Sequence, residues 1–127
     1  MTDVNASKNL MVWADLPVVD LDRAAAFYAA VFAMPVTRQE FNGMPFCVFE
    51  HGEGNGGCLV LKPREVSPFG ILVYFNVDGR IREALTLVEP KGGKVVQGLH
   101  PIGPYGFRAI IEDSEGNRLA LHATVDA

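Results

Sequence analysis

At 127 residues, with 49% hydrophobic and 20% charged residues, the chain has the size and composition of one globular domain, which excludes a disordered protein. A net charge of −4 gives no basic face for a nucleic-acid backbone, and no apolar run approaches the roughly 18 residues that span a bilayer. The polar residues 1–8 lack the apolar core of a secretion signal. We therefore expect a cytoplasmic protein with no nucleic-acid and no membrane partner.

A strand, a bend and a capped helix open the pattern. Residues 10–16 form an apolar run suited to a strand, and Pro17 marks the bend that follows. Asp20 can accept hydrogen bonds from the first free N–H groups of the next helix. Apolar residues then recur at helical spacing and predict a face that lies on a sheet; they are Leu21, Ala24, Ala25, Tyr28, Val31 and Phe32.

Three short strands are predicted after this helix, at 36–41, 46–50 and 58–61. Met34-Pro35 stops the helix. The glycine-rich segment 52–57 leads into a strand rather than a helix and has no following Lys-Ser/Thr, so it predicts a flexible turn and not a phosphate-binding loop. Cys47 and Cys58 fall in two of these strands, match no zinc spacing, and are expected to be reduced thiols.

The second half repeats this order after a short turn-rich linker at 63–68. A long β-branched and aromatic strand at 69–77 precedes a helix that Asp78-Gly79 opens and Pro90 ends. Three more strands are predicted at 94–97, 107–112 and 118–123. We therefore expect one domain over 1–127 that contains two βαβββ modules, the first at about 9–63 and the second at about 69–124.

Four segments carry a resemblance to a known family, namely residues 19–24, 27–32, 92–96 and 112–122. Together they make residues 9–124 resemble the vicinal oxygen chelate superfamily, which includes glyoxalase I, extradiol dioxygenases and the bleomycin- and fosfomycin-resistance proteins. Within it, the chain is most similar to a poorly characterised group related to lactoylglutathione lyase. The resemblance implies an α+β fold in which two βαβββ modules form a cupped, incomplete β-barrel around a ligand, and it suggests a homodimer.

Members of that superfamily commonly place four metal ligands inside the cup, one on the first and one on the last strand of each module. Carried over residue by residue, these positions fall on Trp13, Val60, Leu72 and Ala120. None of these four side chains can coordinate a divalent ion. The resemblance therefore implies an apolar pocket that lacks the usual metal centre.

Polar side chains stand two residues beyond each of these four positions, at Asp15, Lys62, Tyr74 and His122. Residues i and i+2 of a strand face the same way. These side chains either form a polar layer that contacts a ligand, or lie at strand ends that turn into solvent. A carboxylate–imidazole pair of Asp15 and His122 would be able to act as a general acid or base.

The last hairpin supplies further candidates. We expect Ala109 beside His122 and Phe107 near Thr124, so that Phe107 either walls the cavity or is a core aromatic. Arg108 would then alternate outward as a surface charge. His100 lies in the segment 98–106, whose prolines and glycines fit either a mobile flap or an ordinary rigid loop.

Two functions remain open at this point. The first is metal-independent binding of a small organic molecule without a cofactor; its contacts would come from Trp13, Lys62, Leu72, Tyr74, Phe107, Ala120, Asp15 and His122. The second is a lyase or isomerase that resembles glyoxalase I, in which Asp15 and His122 transfer protons. That enzyme would work either without a metal or with a divalent metal at an unconventional place, where Asp15, His122 and His100 would supply three ligands.

Overall fold

The computed structural model of the protein describes residues 10–127. The polar segment 1–8, expected to contain no secretion signal, lies outside the described residues, as does the first residue of the first predicted module. Two helices and eight strands form within 10–127, in the order βαβββ and again βαβββ. They are β1 (Trp13–Val18), α1 (Leu21–Val31), β2 (Val36–Phe41), β3 (Met44–Phe49), β4 (Gly56–Leu61), β5 (Tyr74–Asn76), α2 (Ile81–Val88), β6 (Lys94–Pro101), β7 (Phe107–Glu112) and β8 (Arg118–Ala123).

Each module forms one mixed four-stranded sheet. The strand orders are β1-β4-β3-β2 and β5-β8-β7-β6. The first strand of each module runs parallel to the last, and the other neighbours are antiparallel. The sheets do not close into a barrel, so the predicted α+β fold with a cupped, incomplete barrel is confirmed. Within residues 10–127, neither helix is long and apolar enough to cross a membrane.

Both helices and one face of each sheet bury a common core. Alternate strand residues face the helices; on β1 and β8 they are the buried Leu16, Val18, Leu119 and Leu121. The residues between them face the opposite side, which we call the open face; on the same two strands they are Trp13, Asp15, Ala120 and His122. Cys47 and Cys58 are free and buried, as expected.

Helix α1 begins where its sequence predicts, because Asp20 caps it. The Asp20 Oδ1 atom accepts a hydrogen bond from the Arg23 N–H at 3.1 Å. The buried face of the helix includes Phe27, which packs edge-on against Tyr28 with ring centroids 5.3 Å apart.

Glu115, in the turn between β7 and β8, joins the two modules. Its carboxylate accepts hydrogen bonds from the N–H groups of Val19 and Asp20 at 2.9 and 2.8 Å, and from the Arg23 Nε at 2.8 Å. Burial alone would raise the pKa of Glu115, but the hydrogen bonds from Arg23 and the backbone outweigh it and lower the pKa. We call this contact the Glu115 latch.

A second contact of the same turn is buried. The Tyr28 hydroxyl donates to the Asp113 carboxylate at 2.6 Å, and Asp113 is only 3% exposed. Burial first, and then the Asp113 charge, raises the pKa of Tyr28 well above its usual value, so the hydroxyl stays a donor. The Asn117 side chain donates to the Pro17 carbonyl at 2.6 Å and so ties the turn to β1.

The strand expected at 69–77 is wrong in its length, because β5 contains three residues. Strand β5 runs parallel to β8 with Tyr74 opposite Ala120. Residues 69–71 would therefore extend beyond Arg118, the first residue of β8, and they have no strand beside them on that side. The apolar residues of 69–71 predict a strand, but within residues 10–127 the second sheet has no neighbouring strand with which they could pair.

The segment 98–106 contains more regular secondary structure than the two expectations for it, a mobile flap or an ordinary rigid loop. Strand β6 continues to Pro101, four residues beyond its predicted end, and Gly103–Tyr105 forms a single 3₁₀ turn. His100 lies within β6, opposite Arg108 of β7. The histidine is therefore held by a sheet and not by a flap.

Candidate functional site

A cavity of about 630 Å³ lies where β1 and β5, the edge strands of the two sheets, approach each other. Most of its lining is apolar, and Trp13, Leu72 and Leu119 contribute to it. Asp15, Tyr74 and Arg118 supply polar groups. We call it the main cavity. A second cavity of about 420 Å³ shares Trp13 and Tyr74 with it.

Trp13 and Asp15 line the main cavity on the first sheet, and both hydrogen-bond to Cys58 of β4. The Cys58 thiol donates to the Asp15 Oδ1 at 3.2 Å, and the two residues are paired across β1 and β4. Burial raises the pKa of Cys58 to about 11, and the Asp15 carboxylate acts in the same direction. A hydrogen bond from Trp13 lowers this pKa but does not outweigh the burial. The thiol is therefore neutral and serves to hold Asp15. The Trp13 ring also packs edge-on against His51, with centroids 5.5 Å apart.

On the second sheet, Arg108 organises the polar group that holds Tyr74; Tyr74 lines the main cavity, whereas Arg108 itself lines a separate one. Its Nη1 donates to the Tyr74 hydroxyl at 2.7 Å and its Nε to the His100 Nε2 at 3.0 Å. The His100 Nδ1 lies 2.7 Å from the Gly98 carbonyl, which can only accept, so Nδ1 carries the proton. In this neutral form Nε2 is an acceptor, which matches the N–H of Arg108.

His122 stands opposite Arg108 on the neighbouring strand. Its Nε2 donates to the Tyr105 carbonyl at 2.7 Å. His122, Arg108 and Tyr74 line a third, open cavity of about 520 Å³ together with Ile102 and Tyr105. Because Tyr74 also lines the main cavity, the aromatic ring is the boundary between the two spaces.

A family model described as the Glyoxalase/Bleomycin resistance protein/Dioxygenase superfamily matches residues 10–121 of this chain. The chain belongs to this superfamily. A protein of Didymella fabae described as a glyoxylase-like domain-containing protein is 28% identical over 119 residues, which cover 84% of this chain and 88% of that protein.

Solved structures with the superfamily fold are similar along nearly the whole chain. A hypothetical protein from S. aureus superposes with a TM-score of 0.72 at 18% identity, covering 94% of this chain and 97% of the other. A lactoylglutathione lyase from Agrobacterium tumefaciens superposes with a TM-score of 0.61 at 20% identity, covering 92% and 95%. At these identities the likeness shows the fold alone.

The donor set does not fit the metal centre that the superfamily resemblance implies. The four positions assigned to metal ligands hold an indole, two aliphatic groups and a methyl group, on Trp13, Val60, Leu72 and Ala120. Within residues 10–127, no group of three or more His, Cys, Asp or Glu side chains is arranged to hold a metal ion. Indole and alkyl groups are not metal ligands, and no chemical step is therefore derived through a metal.

Asp15 and His122, the predicted proton-transfer pair, have different partners. Asp15 accepts from Cys58 and lines the main cavity, whereas His122 donates to the Tyr105 carbonyl and lines the third cavity. The carboxylate that interacts electrostatically with His122 is Asp78. Hydrogen bonds from the Thr124 N–H and hydroxyl, and to a smaller extent the charge of His122, lower the pKa of Asp78.

Three other predicted contacts, Lys62, Phe107 and Ala120, do not line any of the three cavities. Lys62 follows the last residue of β4 at the start of a 3₁₀ turn, and its ammonium lies 3.9 Å from Glu65. Phe107 pairs with Ala123, which is fully buried, so its side chain is directed to the helix side. Ala120 lies on the open face but is fully buried between Tyr74 and Ile110 on the neighbouring strands.

The expected register of the last hairpin is wrong by one residue, and for this reason the sequence pattern misplaced Arg108. The structure pairs Arg108, not Ala109, with His122. Gly116 has a positive φ of 102° and Asp113 pairs with Asn117. The loop 114–116 is thus a three-residue connection that ends in a glycine, which is common in hairpins. Recognising this loop in the sequence would have given the correct register.

Proposed function

We propose that this protein binds a small organic molecule in the main cavity without a metal ion. The observation that carries the proposal is the replacement of ligand positions by apolar side chains, two of which, Trp13 and Leu72, line a cavity of about 630 Å³. A volume between roughly 300 and 1,000 Å³ is typical of sites for small organic ligands. The mainly apolar lining favours a ligand with an aromatic or aliphatic body.

Polar groups at the edge of the cavity would orient that ligand. Asp15 is fixed by the Cys58 thiol and Tyr74 by the Arg108 guanidinium, so neither side chain needs to be ordered when a ligand binds. Such preorganisation lowers the entropy cost of association. These two polar positions make a partly polar ligand a better fit than a pure hydrocarbon.

The lyase or isomerase alternative stays an untested prediction. A glyoxalase-like proton transfer would need Asp15 and His122 to reach the same substrate atoms, and the hydrogen-bond partners of the two side chains hold them in separate cavities. General acid–base catalysis requires a group within hydrogen-bond reach of the proton that it moves. The geometry therefore favours binding as the function to test first.

Trp13 provides the assay, because it is the single tryptophan of the chain and lines the main cavity. The probe is N-phenyl-1-naphthylamine, a neutral aromatic dye that accepts excitation energy from tryptophan. We expect saturable energy transfer that is unchanged by a chelator and by added zinc, nickel or manganese. Leu72→Arg should weaken dye binding about tenfold or more, because it places a charge in an apolar wall.

The matched control is Leu61→Arg, since Leu61 is 43% exposed on β4 and lines none of the three cavities. It should bind the dye as the parent does. Two results would contradict the proposal: no saturable binding to the parent protein, or a stoichiometric co-purified metal whose removal abolishes binding and lowers the melting temperature.

A homodimer and a cytoplasmic location also stay predictions. Phe69 and Ile71 are 88% and 90% exposed beside the main cavity, and a dimer would cover such apolar side chains. Sedimentation velocity of Phe69→Ser, with the exposed hairpin variant Phe41→Ser as control, tests the assembly. Cell fractionation tests the location.

A further inference from the structure

Arg108 is a cation without an anion. Of the seven arginines, Arg23, Arg38, Arg80 and Arg82 pair with a carboxylate, whereas Arg64, Arg108 and Arg118 do not pair with one in residues 10–127. Within the described residues, no carboxylate lies within 4.0 Å of Arg108, although the protein has an excess of acidic groups. The chain thus keeps this half-buried guanidinium on the open face with neutral partners only.

Those neutral partners fix the direction of the guanidinium. Nε donates to His100 and Nη1 to the Tyr74 hydroxyl, which uses two of the five N–H donors of an arginine. Two bonds from different nitrogens hold the planar group in one orientation. Three N–H donors remain, one on Nη1 and two on Nη2, and such donors bind carboxylate and phosphate-type oxygens.

The position of Arg108 relative to the main cavity depends on Ala120. Tyr74 and Arg108 lie on β5 and β7, with β8 between them, and Ala120 is the β8 residue opposite Tyr74. Because Ala120 carries only a methyl group, the Tyr74 side chain can cross β8 and reach Arg108. The same tyrosine therefore contacts the cation and lines the main cavity.

We propose that the ligand carries an oxyanion, a carboxylate or a phosphonate, that Arg108 binds while the apolar body of the ligand occupies the main cavity. The inference rests on the proposed binding function and adds the chemical class of the ligand. Arg108 and the Tyr74 hydroxyl form the anion subsite, and His122 lines the same space. His100 acts as a positioning residue, because it touches Arg108 and holds its plane.

The experiment compares three small probes that share a benzyl group: phenylacetate, benzylphosphonate and the neutral phenylacetamide. The affinity of each probe is measured by its displacement of N-phenyl-1-naphthylamine. Each probe is also titrated directly into ¹⁵N-labelled protein while the Arg108 Nε–H resonance is followed. We expect at least one anion to bind about tenfold or more tightly than the amide. We also expect that anion to shift the Arg108 resonance, and the tighter of the two anions identifies the head group.

Arg108→Gln should abolish this preference, and Arg108→Lys should restore it in part, since lysine keeps the charge and loses the planar fork. The matched control is Arg64→Gln, which removes an exposed charge outside the three cavities. Equal binding of anions and amide to the parent, or a preference that survives Arg108→Gln, would overturn the inference alone. If the parent protein does not bind the dye, the proposed function is contradicted instead. The Nε–H titration would still decide whether Arg108 binds the anion.

Discussion

Replacing Glu115 by glutamine should destabilise the protein although the variant has nearly the same shape. The carboxylate is shielded from solvent, with its side chain 0% exposed. It accepts from the N–H groups of Val19 and Asp20 and from two nitrogens of Arg23, at 2.8 to 3.0 Å. Glutamine can still accept some of these bonds through its carbonyl, but its NH₂ group must face a donor.

The magnitude follows from what the charge contributes. Two backbone bonds lose charge assistance, which is worth about 0.5–1 kcal/mol each when a charged acceptor becomes neutral. The Arg23 side chain is 51% exposed and screened by water, so the loss of its ion pair adds little. We expect a loss of about 1–2 kcal/mol in the free energy of unfolding, or about 3–8 °C in the melting temperature.

The decrease in the free energy of unfolding caused by Glu115→Gln should depend on pH. The pKa of Glu115 is lowered in the folded protein, so its stabilisation is fully present above the unfolded pKa of about 4.3. It disappears as the pH falls through the lower folded pKa, because the native carboxylate is then protonated. Glu115→Gln has no such group to protonate. The difference in stability between parent and variant should therefore be largest at pH 7 and narrow below about pH 4.3.

Urea denaturation at pH 7 and at pH 3.5, followed by Trp13 fluorescence, measures this difference. The control is Glu53→Gln, which removes the same charge from an exposed loop and should change the unfolding free energy by less than about 0.5 kcal/mol. The reasoning is refuted if the Glu115 and Glu53 variants are equally stable at pH 7, or if the gap does not narrow in acid.

Three further changes test other contacts. Tyr28→Phe removes a donor from the buried Asp113 carboxylate and should cost about 1.5–3 kcal/mol in urea denaturation; an unchanged midpoint would show that the hydroxyl is dispensable. Gly57→Ala would place a Cβ 2.6 Å from the Ala14 carbonyl oxygen and should cost about 1–3 kcal/mol by differential scanning calorimetry, unless β1 and β4 separate freely. Cys58, with its pKa near 11, should react with iodoacetamide at pH 8 about a hundredfold more slowly in the native protein than in urea; mass spectrometry of the labelled peptide would expose a reactive thiol.

The sequence predicts the order of the elements because those signals are local. The helical spacing from Leu21 and the cap at Asp20 require only neighbouring residues, and both appear in the structure as expected. The segments that carry the family resemblance include the partners of the Glu115 latch, at 19–24 and 112–122. A resemblance carried by contacts that join two modules identifies the fold, and it contains no information about the ligand.

The length of β5 could not be predicted because it depends on a distant partner. The segment 69–71 has the composition of a strand, yet β8 begins at Arg118 and offers these residues no neighbour on that side. A strand needs hydrogen-bonding partners for its backbone, and the sequence does not state where the partner strand starts. Composition alone therefore overestimates such a strand.

The site was predictable only as far as the family resemblance and the alternation of faces along single strands extend. Trp13 and Leu72, at positions that the resemblance assigned, line the main cavity, and so does Tyr74, two residues beyond Leu72. Arg108 depends on the register between two strands, and a slip of one residue exchanges every side chain between the two faces. In the expected register, Ala109 would lie on the open face of β7, and this part of the second sheet would be apolar. The register that the turn at Gly116 allows places the Arg108 guanidinium on the open face instead. The geometry of one turn thus decides whether the second sheet offers an anionic ligand a partner.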